Sequence, residues 1–346
     1  MNAGNRTVSE IGEFNLIERI RAICGTDRSP DTILGIGDDA AVIRLAEDRA
    51  LVATCDIQVE DVHFRWESIT PSQLGRRSMA VNLSDIASMG ATPAYALTSL
   101  AIPPSLPVTR FDKIFSGMHD ELEEYGAFLI GGNLAGTAEK LVIDVFMWGM
   151  IDPARLLTRS GAQEGDAIFV TGALGSASAG LDVLARYGPS CSDEYVDVVR
   201  AHLEPRPRVR EGVAIAQSGL ATSMIDVSDG LAADIGHICD SSGVGVEIDE
   251  FQIPFDAVLF KIARTAEKDL REYTLYGGED YELLFTVRST DTDAMMRLAQ
   301  DHGFAVRCIG RVVPKDAGRT LIDPQGTRHA LDPKGWDHFQ AAGAPT

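Results

Sequence analysis

The stretch Gly35-Ile36-Gly37-Asp38-Asp39-Ala40-Ala41 joins two glycines to two adjacent carboxylates. Glycine lets a backbone turn tightly or approach a ligand closely, and bare amides in such a turn attract anions. Two aspartates in the same place repel phosphate unless a divalent cation lies between. The stretch therefore predicts metal-bridged phosphate chemistry, with the oxygen ligands that Mg²⁺ prefers.

Further carboxylates repeat the theme. Asp56, Asp85, Asp226 and Asp229 fall at the ends of apolar runs or beside small residues. Singly, each reads as a helix cap or an Asx turn, and Ser228-Asp229 is placed to cap a helix starting at Leu231. Together with Asp38 and Asp39 they would repel one another and be driven to protonate, which metal would relieve. Gly131-Gly132-Asn133 and Gly277-Gly278-Glu279-Asp280 are further turns where backbone can approach a ligand. His63, Arg159 and Trp336 each have a plain alternative: a half-buried loop histidine, a solubilising arginine, a core anchor.

Several nucleotide-binding classes are excluded. Gly35-x-Gly37-x-x-Ala40 nearly matches the dinucleotide fingerprint, but aspartates fill the amide-donor positions and β-like residues follow where a helix should start. The chain has no G-x-x-x-x-G-K-[ST] loop and no H-R-D or D-F-G, so it is neither a P-loop enzyme nor a protein kinase of the large class.

The elements that must hold these residues follow from periodicity. Ile11, Phe14, Ile17 and Ile20 mark one face of a short helix. Ala41–Ile43 and Leu51–Thr54 read as strands of a hairpin running into Asp56. Ser72–Met89 is a helix carrying Asp85, Tyr95–Ile102 a strand, and Phe111–Tyr125 an amphipathic helix. Phe128–Ile130 is expected to be a short buried strand ending at the glycine pair, and Leu141–Ile151 another strand. Asp152-Pro153 marks a boundary between domains at 1–152 and 153–346. Beyond it come a strand at 167–171, a small-residue helix from Ser176, a strand at 221–227, a helix from Leu231 and a strand at 282–287. The outline is α+β in two halves.

At 346 residues, with 45% hydrophobic and 24% charged residues, the chain is an ordinary globular one of two-domain size. Its net charge of −20 argues against nucleic acid as a partner. Cys24, Cys55, Cys191, Cys239 and Cys308 are scattered, as reduced thiols of a cytoplasmic protein would be. Met1–Glu13 lacks the apolar run of a signal peptide. The uncharged stretch Ile86–Thr109 holds four prolines, which fits a buried strand with its loops better than a membrane span.

In their order, LGIGDDAAVI, TCD with VEDVHF, AVNLSDIASMGATP, IGGN, LTRSGAQEGD, FVTGALGSASAGL, MIDVSDGLAADIGHI, YGGEDYELLFTV and PKGWDHF resemble the thiamine-monophosphate kinase family. That family belongs to the superfamily that includes aminoimidazole ribonucleotide synthetase. The resemblance runs from about Gly12 to Phe339 and implies ATP-dependent phosphorylation of thiamine monophosphate. It also implies a homodimer whose N-terminal α/β domains contribute strands to a shared β-barrel, with a sandwich-like α/β C-terminal domain completing the cleft. By motif, Asp39, Thr54, Cys55, Asp56, Asp85, Asp226 and Asp229 take the family's magnesium positions. Gly132, Asn133, Arg159 and Ser228 lie at the nucleotide, and His63, Glu279 and Trp336 at the thiamine phosphate. Glu279 and the Trp336 ring would favour the thiazolium cation.

Two positions depart from the family pattern. Cys55 stands where Thr is common, removing a hydroxyl ligand but keeping a backbone carbonyl. Asn133 stands where many members have Asp, keeping an oxygen but dropping the charge. These departures are the only features that favour a non-catalytic sensor. Selenophosphate synthetase and the hydrogenase-maturation dehydratase are disfavoured by the absence of their functional cysteines.

Overall fold

The computed structural model describes residues 7–25 and 29–335. Its N-terminal half comprises β1 (Thr32–Leu34), β2 (Ala41–Ala46), β3 (Arg49–Val59), β4 (Thr92–Ile102), β5 (Phe128–Gly136) and β6 (Val142–Ile151). Helices α1 (Glu13–Cys24), α2 (Pro71–Ser88) and α3 (Val108–Glu124) accompany them. The strands form one mixed sheet in the order β1-β2-β3-β6-β4-β5, antiparallel except for the β4/β5 pair.

Helix α2 is the centre of this half. Thr70 and Gln73 close a capping box at its start, and Pro71 takes a first-turn position where a missing N–H costs nothing. The helix is buried almost all round, from Leu74 to Ser88. Its interior polar groups are satisfied locally: Ser78 donates to the Leu74 carbonyl at 2.8 Å, and Asn82 to the Ser78 carbonyl at 3.1 Å. Helix α3 approaches it at backbone contact. A Cβ at Gly75 would lie 1.9 Å from the Ile114 carbonyl oxygen, and one at Gly117 would lie 2.0 Å from that of Ser72.

The C-terminal half adds β7 (Ala167–Thr171), β8 (Ala221–Asp226), β9 (Gly245–Asp249), β10 (Leu283–Val287), β11 (Val306–Val313), β12 (Arg319–Ile322) and β13 (Arg328–Ala330). Its helices are α4 (Ser176–Tyr187), α5 (Val196–Leu203), α6 (Val209–Ser218), α7 (Leu231–Ser242), α8 (Val258–Ala266), α9 (Arg271–Thr274) and α10 (Thr292–His302). The second sheet has the order β13-β12-β9-β11-β7-β10-β8. Every residue of β7 and β10 is buried, because helices cover both faces. That is why these strands read as continuous apolar runs rather than alternating ones. One core runs from Val42 and Val145 of the first sheet to Phe169 and Phe285 of the second, and a separate one lies beneath α7.

Three expectations need correction. β5 does not end at the glycine pair but continues through it to Gly136, and it is an exposed edge strand rather than a buried one. Asp56 lies inside β3, not at its end, since the strand extends to Val59. Of the apolar positions assigned to one face of the first helix, Ile11 precedes α1 and Ile20 is half exposed. Far more of the sheet's outer face is bare: Ile43, Ile57, Phe128, Ile130 and Phe146 are all exposed.

Candidate functional site

Most of the predicted carboxylates meet where the two halves join. The turn ahead of β2 places Asp38 and Asp39, with Gly37 at a φ of +125° that glycine adopts without strain. The side chains of both aspartates are almost fully buried. Arg159, from the C-terminal half, donates its backbone N–H to Asp38 at 3.2 Å and its Nε to Asp39 Oδ1 at 2.9 Å. The other oxygen, Asp39 Oδ2, is buried without a hydrogen-bond partner.

On β3, Thr54 and Asp56 face α2, and Asn82 Oδ1 accepts the Asp56 backbone N–H at 3.0 Å. The Thr54 hydroxyl donates to Asp85 on α2, and that of Ser84 to Asp226 at the end of β8. Asp226 is followed by the loop carrying Ser228 and Asp229. The expected Ser228-Asp229 cap on α7 does not form. Gly230 is the N-cap residue, with no side-chain cap bond, and Asp234 Oδ2 instead accepts the N–H groups of Asp229 and Gly230 at 3.2 and 3.1 Å.

These carboxylates raise one another's pKa values. Burial, then the Asp39 charge, pushes Asp226 up to about 8, and burial with Asp39 pushes Asp38 up to about 7. Asp85 rises well above the carboxylate range through burial and then Asp56, as does Asp234 through burial and then Asp229. A buried cluster of this kind, with an orphaned oxygen, fits oxygen-preferring divalent cations. Asp229, Asp234 and His237 also offer ligand atoms within 4.8 Å of one another. Burial, then the Arg159 charge, holds His237 down at about 4, so it stays neutral near pH 7.

A second group lies beside the first. Glu279 donates its backbone N–H to the Ser228 carbonyl at 2.7 Å and adopts a left-handed φ of +70°. Its carboxylate is gripped by Arg77 of α2, and His202 Nδ1 lies 3.1 Å away without hydrogen-bond geometry. Burial opposes its ionisation, but the Arg77 charge and the nearby His202 ring outweigh that and hold the carboxyl at about 2. Arg77 is 1% exposed and also donates to the His202 carbonyl and to Gln58.

Other predicted residues stand apart. Strand alternation turns the Cys55 side chain to the outer face, away from Thr54 and Asp56, so only its backbone could join them. Register sets Gly132 in one row with Thr98, Val145 and Asp56, three strands from Asp56 and so about 14 Å away. Asn133 shares the next row with Ser99, Asp144 and Ile57 and is exposed. His63 accepts the Val59 N–H on Nδ1 at 3.0 Å, beyond the far end of β3. Trp336 lies outside the described residues; Gly335, just before it, packs against Asp229 and Ala233.

Sequence reasoning missed Asp234, His237, Arg77 and His202. Two signals were available: Gly230, Asp234 and His237 have helical spacing, and Arg77 lies two helical turns before Ser84 on the same predicted helix that carries Asp85.

Two family models match the chain. One, described as AIR synthase related protein, N-terminal domain, covers residues 37–151, and its C-terminal-domain counterpart covers 163–323. A thiamine-monophosphate kinase of Bacillus subtilis is 34% identical over 330 residues, covering 95% of this chain and 99% of its own. One of Escherichia coli K12 is 37% identical over 329 residues, covering 95% and 98%. A solved structure of AaThiL complexed with AMPPCP and TMP superposes with a TM-score of 0.83 at 32% identity, over 97% of this chain and 100% of that one.

Proposed function

The chain belongs to the thiamine-monophosphate kinase family, and from that premise we propose that it transfers the terminal phosphoryl group of ATP to thiamine monophosphate, giving thiamine diphosphate. The observation that carries the reading is the buried carboxylate cluster at the junction of the two halves, with Asp39 Oδ2 left unpartnered.

Asp39, Asp56, Asp85, Asp226 and Asp229 would hold Mg²⁺, with Thr54 and the Cys55 carbonyl as neutral ligands. Bound there, the ions would neutralise the charge on two polyanions brought into contact. The chain's own task is alignment. Asn82 and Ser84 fix the Asp56 backbone and the Asp226 carboxylate, so cation ligands on β3 and β8 keep one geometry. In this reading Arg159, paired with Asp39 in the chain alone, turns to nucleotide phosphate, and Ser228 contacts the nucleotide too. The acceptor phosphate has a second pKa of about 6 and is already anionic near neutral pH, so no general base is required.

Glu279, His63 and Trp336 contact thiamine monophosphate in this reading, and Gly132 and Asn133 belong to the nucleotide end. The 14 Å between Gly132 and Asp56 within one chain is the weakest fit. The bare outer face of the first sheet and the open β5 edge support a homodimer in which these faces close a barrel. Residues 1–152 and 153–346 are its working domain division, and a cytoplasmic location suits its substrates. Among the described residues no helix is long and apolar enough to cross a membrane.

The test is incubation with ATP, MgCl₂ and either thiamine monophosphate or free thiamine. Thiamine diphosphate should form from the monophosphate alone and disappear with EDTA. Failure with both substrates would sink the reading. Sedimentation equilibrium should give twice the chain mass.

A further inference from the structure

Helix α2 belongs to the first half by sequence, yet one of its stripes is bonded to the second. Arg77 and Ser84 are seven residues apart, two helical turns, and so lie nearly above one another. Both reach across the junction, Arg77 to Glu279 and the His202 carbonyl, Ser84 to Asp226. Asn82 and Asp85 lie on another stripe and reach back to Asp56 and Thr54 of β3. One rigid element therefore touches both the metal-binding carboxylates and the carboxylate assigned to the substrate.

We propose that Arg77 is a positioning residue for thiamine monophosphate: it fixes the Glu279 carboxylate at a set distance from Asp226. The proposal rests on the assignment of Glu279 to the substrate site. Glu279 sits in a strained left-handed conformation on a loop, and a glutamate side chain has rotamer freedom of its own. Arg77 removes that freedom with a guanidinium locked by three acceptors: Glu279, the His202 carbonyl and Gln58. The seven-residue interval along α2 separates the two anchor points by about 10 Å along the helix axis. It spaces the organic end of the substrate from the end where phosphoryl transfer occurs.

A second consequence concerns charge. Glu279 is neutralised by Arg77, so it offers the substrate a fixed hydrogen-bond acceptor rather than a net negative charge. Discrimination at this point works through donor geometry more than through attraction of a cation, which revises the expectation drawn from the sequence.

The experiment measures KM for thiamine monophosphate, KM for ATP, and kcat in Arg77→Met, Arg77→Lys, Glu279→Gln and the double variant Arg77→Met/Glu279→Gln. Glu279→Gln and Arg77→Met should each raise KM for thiamine monophosphate about tenfold and leave that for ATP within about twofold. Arg77→Lys should fall between Arg77→Met and wild type. The double variant should match Glu279→Gln alone, because a residue acting only through Glu279 has nothing left to position.

The outcomes separate the two claims. An unchanged KM for thiamine monophosphate in Glu279→Gln overturns the substrate assignment, and the positioning role with it. A raised KM in Glu279→Gln beside an unchanged one in folded Arg77→Met overturns the positioning role alone. So does an equal rise in both KM values, which marks general distortion. Arg77→Met leaves the half-buried Glu279 carboxylate without its cation, a change that can cost folding. The double variant removes both charges, so its comparison with Glu279→Gln decides the matter in that case, and a further rise in KM overturns the proposal.

Discussion

The two carboxylate groups served by α2 are built on opposite electrostatic plans. At Asp38, Asp39, Asp56, Asp85, Asp226, Asp229 and Asp234, negative charges crowd together with Arg159 as their counter-charge, and burial with mutual repulsion lifts the pKa values of Asp38, Asp85, Asp226 and Asp234. At Glu279 a fully buried partner cation faces the half-buried carboxylate, and the pKa falls. In the proposed reading the first group is complete only when cations arrive, whereas the second is complete in the folded chain. A loosely compensated cluster is suited to gaining and releasing charged ligands, and a compensated pair is suited to holding one shape.

The contrast can be broken first at the cations. Asp56→Asn should cost on the order of 10²–10³-fold or more in turnover while the protein remains folded. Activity at the wild-type level in this variant would mean that the cluster is not the reaction centre. The stability of single variants is the next largest difference. Glu279→Gln leaves Arg77 buried without its counter-charge and should destabilise the fold by about 3 kcal/mol. Metal-free Asp226→Asn replaces a carboxyl whose ionisation burial and Asp39 already push up to about 8, and should be neutral or stabilising. Urea unfolding of the two variants side by side would show this, and equal losses would erase the contrast.

Mg²⁺ should then raise the midpoint of thermal unfolding of the wild type. A ligand at 100 times its Kd stabilises by about 2.7 kcal/mol, and the gain should vanish in Asp56→Asn. The contrast also shows in the pH dependence. Asp226 is protonated below about 8 in the fold but only below the ordinary aspartate value of 3.8 when unfolded. Folding therefore takes up a proton between those values, and metal-free stability should fall as pH rises from 4 towards 8. Glu279 has the opposite sign: its contribution is complete above the ordinary glutamate value of 4.5 and is lost as pH falls towards about 2. A metal-free stability curve flat from pH 5 to 8 would contradict the burial of Asp226.

The first group was legible in the sequence because its parts are local. Gly37-Asp38-Asp39, Asp56, Asp85 and Asp226 each sit beside a turn signal or on a strongly patterned element, and the structure brings them together. What escaped depends on long-range geometry. Which way Cys55 points follows from strand parity and from the face that α2 covers. The distance of Gly132 from Asp56 follows from a strand order that no local pattern records. The β5 strand was expected to be buried because it is apolar, but an edge strand on an uncovered face is apolar for a different reason. Arg77 was passed over because a charge in a helix reads as a solvated face until the helix proves to be buried. Glu279 was recognised, but as a free carboxylate, since nothing nearby in sequence shows Arg77 or His202 beside it.

The backbone contact between Gly75 and Ile114 fixes α2 in the first half, while Arg77 and Ser84 fasten it to the second. The two halves cannot swing apart like jaws without first tearing this helix out of one of them. Amide hydrogens along α2 should exchange with deuterium only when the whole molecule unfolds.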